Sequence, residues 1–340
     1  MTEKQYGGST GRENKPVKIS ETSNIQKKSP SKNTKTTKLE ISKSNQTNEQ
    51  KILLAGQIAS EVKEYAKSII KKDMPLLEIA EKIENKIIEL GGKPAFPVNT
   101  SINEIAAHYT SGHNDTSTAH GLLKIDLGVH IDGWIADTAI SIDLENSEEN
   151  KKLIQASKDA LDNAIEIINK KENPTTGEIG KTIQETIESK GFLPIINLSG
   201  HQIEQYNLHA GLTIPNIDNK STEIISPGLY AIEPFVTQGN GKVRDGKSSG
   251  IYMLTNPKTP RTPMAREILE FIAKEYQTLP FCSRWLVKKF GIKVMFALKQ
   301  LEENGSLHQF PQLVESSNSK VAQTEHTLLI TEKEVKVTTE

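Results

Sequence analysis

Cysteine is almost missing from this chain of 340 residues: Cys282 stands alone, so no disulfide can close within it. No CxxC pair exists either, which excludes a thiolate zinc site. That usage fits a reducing compartment. No apolar run approaches the roughly 20 residues that span a bilayer, and the N-terminus has no apolar core of a signal peptide. Neither sign of charge dominates. Lys and Arg number 42 against 43 Asp and Glu, a net charge of −1. Nothing global therefore draws the chain to nucleic acid or an anionic membrane. The expectation is a soluble cytoplasmic globular protein with no membrane partner and no specific nucleic-acid partner.

Aromatic residues are scarce at the start. Tyr6 is the one aromatic in residues 1–48, and Val17, Ile19, Ile25, Leu39 and Ile41 are scattered among Ser, Thr, Asn, Gln and Lys. Such a segment buries too little surface to offset its ordering entropy. It is expected to be a disordered, mildly basic tail that solubilises the protein. The sharper alternative is an electrostatic tether to ribosomal RNA or another acidic surface.

Residues 49–340 read as one folded domain. Leu54, Ile58, Val62, Tyr65 and Ile69 recur at helical spacing. A second helix follows, with Asp73 as its expected cap, Pro75 in its first turn and Gly91-Gly92 at its end. Ile79, Ile83 and Ile87 form its apolar stripe. A similar pair recurs over about 149–191, and EIAEKIENKIIELGG (78–92) aligns in frame with EIGKTIQETIESKGF (178–192). After each pair come a histidine segment and carboxylate-bearing strands, which points to an internal duplication. The fold class expected is α/β (α+β). A segment of about 239–318 interrupts the second half. It opens with a Gly-rich loop (238–250) and continues with helices near 264–277, 283–290 and 293–304, a winged-helix-like pattern. We read it as a helical cover beside an active site, since it lacks a dense basic stripe.

KIDLGVHIDGWIADTAISIDL (124–144) is the most informative stretch. Two apolar runs flank Asp132-Gly133, a two-residue hairpin signal. That turn sets Ile131 opposite Trp134, Val129 opposite Ala136 and Leu127 opposite Thr138. On the other face Gly128 opposes Asp137 and Asp126 opposes Ala139. Asp126 and Asp137 become diagonal neighbours, with Gly128 leaving room between them. Diagonal backbones lie roughly 7–8 Å apart, which lets two side chains converge on a metal pair. Two buried carboxylates repel unless one is protonated or cations intervene. Glu233 in LYAIEPF and Glu325 in VAQTEHTLLI hold matching places in the strands of the second half. His201 and His209 lie eight residues apart and share a face if that stretch stays extended. His113, Asp115 and His120 also look metal-like, but their polar loop reads as exposed.

Taken together, AFPVNTSINEIAAHYTS (95–111), the hairpin, LSGHQIEQYNLHAGLTIPN (198–216), YAIEPFVT (230–237) and VAQTEHTLLI (321–330) resemble, in order, the signature blocks of type II methionine aminopeptidases. The long insert resembles that type too. The resemblance implies a pita-bread fold with pseudo-twofold halves and a central metal site. It implies Asp126, Asp137, His201, Glu233 and Glu325 as ligands of two divalent ions, with Asp137 and Glu325 bridging. Oxygen-rich ligation with one imidazole suits Mn, Fe or Co. By the same resemblance Glu233 is the proton shuttle, His209 stabilises the oxyanion, His108 serves the scissile amide, and Phe96 lines the methionine pocket. The implied substrates are the N-termini of nascent polypeptides with a small second residue, and a monomer is the family expectation. Ser111 stands where the family often has Pro, and loop 111–120 is atypical. Proline-specific peptidases share the ligand set, and proliferation-associated relatives keep the fold without the full set. The AAHYT block, the LHAGLTIPN block and the insert weigh against the first, and the five intact ligands against the second.

Overall fold

The computed structural model describes residues 46–340, so the expected tail over residues 1–48 lies almost wholly outside the described residues. Helix α1 (Asn48–Ile69) starts in a capping box, in which Thr47 and Gln50 satisfy each other's backbone N–H. Its most buried face is carried by Ile52, Ala55, Ala59, Val62 and Ala66. The expected Leu54, Tyr65 and Ile69 flank that face half-buried. Helix α2 (Leu76–Glu89) buries Ile79, Ile83 and Ile87 completely. Each such isoleucine contributes roughly 1.5–3 kcal/mol. The expected cap is not used: Asp73 has φ +66° and no side-chain bond caps α2. Residues 117–119 do the work instead. The Leu76 N–H donates to Ser117 O at 2.9 Å, and that of Asp73 to Ala119 O at 2.7 Å. The end matches expectation, with Gly91 at φ +90°.

Strands β1 (Lys93–Ile102), β2 (Ile105–Ala107), β3 (Leu122–Ile131) and β4 (Trp134–Asp143) follow. The β3–β4 register is the expected one at every pair named above. Asp132 and Gly133, at φ +50° and +80°, make the turn. One detail differs. The space above Gly128 is filled by the ring of Phe96, on which a Cβ would fall, so the glycine admits an aromatic wall and not the two aspartates.

The second half repeats this plan. Helices α3 (Glu148–Lys170) and α4 (Thr176–Ser189) precede β5 (Leu193–Pro194), β6 (Ser199–Ile203), β7 (Thr213–Pro215), β8 (Gly228–Ile232) and β9 (Phe235–Thr237). Isolated bridges Pro75–Thr118 and Thr175–Ile224 sit at equivalent points, each tying the start of a second helix to the chain before a central strand. Between β9 and β13 the chain forms β10 (Val243–Leu254), α5 (Pro263–Glu275), β11 (Phe281–Cys282), α6 (Ser283–Phe290), α7 (Val294–Glu303) and β12 (Leu307–Glu315). The three helices fall where expected. The Gly-rich stretch does not stay a loop, because β10 pairs with β12 through two register shifts. Gly246 packs against Val314 at one of these bulges.

The last strands are β13 (Val321–Gln323), β14 (His326–Ile330) and β15 (Val335–Val337). VAQTEHTLLI is therefore two strands, broken at Glu325. LYAIEPF breaks likewise at Glu233-Pro234. β8 and β14 pair in one sheet and β9 and β13 in another, so both glutamates sit where the strand pair crosses between sheets. All strand pairings are antiparallel among the described residues, which makes the architecture α+β.

Helix α1 also packs on the chain after β15. Gly56 lies so close to Thr338 that an added Cβ would fall on its carbonyl. Gly56→Ala should cost about 1–3 kcal/mol or more through overpacking, read as a lowered midpoint in urea denaturation. An unchanged midpoint would contradict this close approach.

Candidate active site

The two halves meet along β4. Glu325 donates its N–H to Ala139 O at 3.1 Å, and the Thr138 hydroxyl donates to Glu325 O at 2.8 Å. Ser141 Oγ accepts from Gln323 N at 2.9 Å and donates to Gln323 O at 2.8 Å. Thr327 Oγ1 accepts from Asp137 N and donates to Asp137 O, both at 2.7 Å. Three hydroxyls thus stitch a seam where backbone pairing amounts to the isolated Ala139–Glu325 bridge, and they fix the Asp137 and Glu325 backbones side by side.

A cavity of about 340 Å³ opens on this seam. Asp126, Asp137, His201, Glu233, Glu325, His108, His209 and Phe96 all line it. Donor atoms of Asp137, His201 and Glu325 lie within 4.8 Å of one another. His201 Nε2 is 3.7 Å from both Asp137 Oδ2 and Glu233 Oε1. Gln323 Nε2 stands 3.5 Å from Asp126 Oδ2, Glu233 Oε2 and Glu325 Oε2. The five residues therefore converge. His113 and His120 are exposed and line no part of this cavity, and Asp115 accepts from Tyr109 Oη at 2.6 Å.

Burial decides the electrostatics. It lifts Asp126 to about 7. Burial, reinforced by the neighbouring carboxylates, carries Asp137, Glu233 and Glu325 well above the ordinary range. Burial, with His209 beside them, lowers His201 to about 3 and His108 to about 4. Burial also lowers His209. The imidazoles are neutral near pH 7, so the His201 contacts to Asp137 and Glu233 are ligand-like approaches and not ion pairs. Asp126 Oδ1 and Asp137 Oδ1 are buried with no hydrogen-bond partner. Orphaned carboxylate oxygens beside a neutral imidazole form a donor set that divalent cations complete.

The site holds residues that sequence reasoning did not single out. Gln323 contacts three of the four carboxyls, and its signal was the i, i+2 spacing to Glu325 in QTE. Asn99, opposite Asp126 in the β1–β3 ladder, lines the cavity with its Oδ1 unpartnered. Ile251, Pro280, Phe310 and Leu313 reach the cavity from the β10–β12 segment. No local pattern announces such long-range contacts. His108 itself has φ +62°, a left-handed conformation that costs a non-glycine residue roughly 1–3 kcal/mol.

The sequence pattern of metallopeptidase family M24 matches residues 50–332. A methionine aminopeptidase from Methanocaldococcus jannaschii is 48% identical over 293 residues, covering 85% of this chain and 98% of its own length. Among solved structures, one of a thermophilic Arx1 aligns with a TM-score of 0.73 at 15% identity, covering 85% of this chain and 89% of its own. A methionine aminopeptidase from Thermotoga maritima aligns at 0.61 with 22% identity, covering 85% and 95%. These two likenesses bear on the fold alone. The chain belongs to metallopeptidase family M24 and, within it, to the methionine aminopeptidases. It is a hydrolytic metallo-exopeptidase of the pita-bread fold, and membership of the family implies divalent metal.

Thr327→Val should unpair two buried backbone groups of Asp137, at about 1–3 kcal/mol each. Guanidinium denaturation of metal-free protein would read the loss. Equal midpoints for variant and wild type would mean that the hydroxyl does not hold the seam.

Proposed function

We propose that the cavity removes the N-terminal methionine of nascent polypeptides at a dinuclear divalent-metal centre. The observation that carries this is the convergence of four carboxyls and one neutral imidazole, with orphaned oxygens, beside two further histidines. Asp126, Asp137, His201, Glu233 and Glu325 would hold the two ions. Mn, Fe or Co suits such ligands. When bound, the ions supply Lewis-acid polarisation of the scissile carbonyl and activation of water near neutral pH.

The chain's own groups do the rest. Glu233 accepts the proton of the attacking water and passes it to the leaving amine. His209 donates a hydrogen bond to the developing oxyanion. His108, whose Nδ1–H is directed at Pro311 O, presents Nε2 to the scissile amide N–H and orients it, while the proton its nitrogen needs comes through Glu233. Phe96, with Phe310 and Leu313, encloses the methionine side chain. Residues 49–340 act as the catalytic domain, and 239–318 as a winged-helix-like insert that walls the site. A small second residue is preferred, and the enzyme works as a cytoplasmic monomer. Residues 1–48 are a solubilising tail, with contact to the ribosome surface as its sharper role. Among the described residues no helix is long and apolar enough to cross a membrane.

Chelator-stripped protein should release no methionine from Met-Ala-Ser, and Mn, Co or Fe should restore release. Asp137→Ala should abolish restored release by at least about a thousandfold, the scale of losing a centre that supplies several kcal/mol. Xaa-Pro dipeptides should not be cleaved. Release by stripped protein, or by the variant at the wild-type rate, would remove the metal assignment.

Metal binding should also be linked to protons. The carboxyls titrate higher in the folded metal-free protein than in the unfolded chain. Their stabilising contribution is complete below about pH 4 and disappears as pH rises through Asp126's value of about 7 and through the raised range of the others. The lowered histidines act in the opposite sense, but only below about 6.5, where the unfolded imidazoles charge. Divalent metal expels the carboxyl protons. The Tm gain on adding Mn should therefore grow from pH 6.5 to 8.5, as measured by scanning calorimetry. A gain that shrinks over this range would contradict carboxylate ligation.

A further inference from the structure

His108 is held by parts of the chain remote from it in sequence. Its ring Nδ1 is 3.2 Å from Pro311 O in β12, and its ring meets Phe310 edge-on at 5.5 Å. Just beyond it, Arg284 Nε donates to Ser111 O at 2.9 Å, and Nη2 lies 3.3 Å from Thr110 Oγ1. Arg284 stands at the start of α6. Its other donors fork onto Glu84 of α2 at 2.7 and 2.8 Å, and both side chains are buried. Trp285 Nε1 donates to the same carboxylate at 2.9 Å. Glu84 Oε1 also accepts from Val98 N at 3.3 Å, in the strand that carries Phe96 and Asn99. Thr110 Oγ1 donates back to Val98 O at 2.8 Å, and Thr100 N to Tyr109 O at 2.7 Å.

A buried ion pair is a poor source of stability, because desolvation offsets the attraction and an apolar replacement of equal volume often does as well. What an apolar core cannot supply is direction. The guanidinium fork aims donors at Glu84, Ser111 and Thr110 at once. The bonds to Ser111 and Thr110 fall within three residues of a histidine whose backbone is strained. Such strain persists only where the surroundings over-determine it.

We propose that the Glu84–Arg284 pair is a positioning device for His108. It pins Thr110 and Ser111, just after the left-handed His108, so that the imidazole faces the substrate at a fixed angle. The segment between β9 and β13 then does more than wall the cavity, because it sets the geometry of a catalytic side chain in the first half. The inference rests on the aminopeptidase reading above.

Arg284→Lys separates the roles. It keeps the charge opposite Glu84, but one ammonium cannot also serve Ser111 and Thr110. Full-length Mn-loaded protein would be assayed for methionine release as wild type, Arg284→Lys, His108→Ala and the double variant. The expected result is a kcat about 10- to 100-fold lower for Arg284→Lys, with KM and Mn affinity unchanged and no further loss in the His108→Ala background. Glu84→Gln should give a smaller loss of the same kind. Imidazole ¹⁵N spectra of metal-free protein give a readout independent of turnover: wild-type His108 should show one fixed tautomer and Arg284→Lys an averaged signal. Equal fold-losses in both backgrounds, or an unchanged His108 signal, would overturn the positioning role. An inactive wild type that keeps the tautomer difference would instead overturn the aminopeptidase reading.

Discussion

Four carboxyl groups share one buried cavity, and the rest of the structure answers to that. Carboxylates so close and so dry cannot all be ionised without cations. Burial accordingly raises all four above their ordinary range, and neighbouring carboxyls reinforce it for Asp137, Glu233 and Glu325. The neighbouring imidazoles are lowered by the same burial, so they are free to act as ligands and donors at neutral pH. One desolvated environment thus prepares acidic side chains to exchange protons for metal and keeps histidines uncharged. The fold has to hold these groups together although they oppose it.

It does so at a seam. Each half contributes a pair of helices packed on antiparallel strands. In the first half the strands run unbroken through Asp126 and Asp137. In the second they break at Glu233 and Glu325, where the strand pair passes from one sheet to another. The breaks turn both glutamates toward the aspartates. Thr138, Ser141 and Thr327 replace the missing ladder bonds across the seam. Thr327 is itself tied to the chain end, since its N–H donates to Thr339 Oγ1 and Thr338 Oγ1 donates to its carbonyl. Packing of α1 on that end therefore bears on where Asp137 sits.

Much of this could be read from residues alone, and the reasons differ by element. The β3–β4 register was legible because Asp132-Gly133 admits one tight turn, and a period of two then places every side chain. Helix spans in the β10–β12 segment followed from apolar spacing. The start of α2 did not, because its backbone is satisfied by residues 117–119, a tertiary contact that overrides Asp73. The break at Glu325 was invisible because Thr324 and Glu325 fit a strand pattern, whereas the break after Glu233 carried its own signal in Pro234. Gln323 was passed over since an amide near an acid in sequence looks like a side chain facing water until its three carboxyl neighbours are known. The pocket walls Ile251, Pro280, Phe310 and Leu313 come from a segment whose local pattern says only helix and hairpin. The ligand roles proposed for the five residues rest on family resemblance, whereas their convergence is a property of the fold.

The central claim is that cations, and not shared protons, neutralise this cavity in the working protein. Anomalous diffraction from crystals grown with Mn at pH 7.5 tests it most directly. The account predicts two Mn peaks about 3.5–4 Å apart, bounded by Asp126, Asp137, His201, Glu233 and Glu325. A map without Mn in the cavity, with the carboxyls bonded to one another through protons, would contradict it.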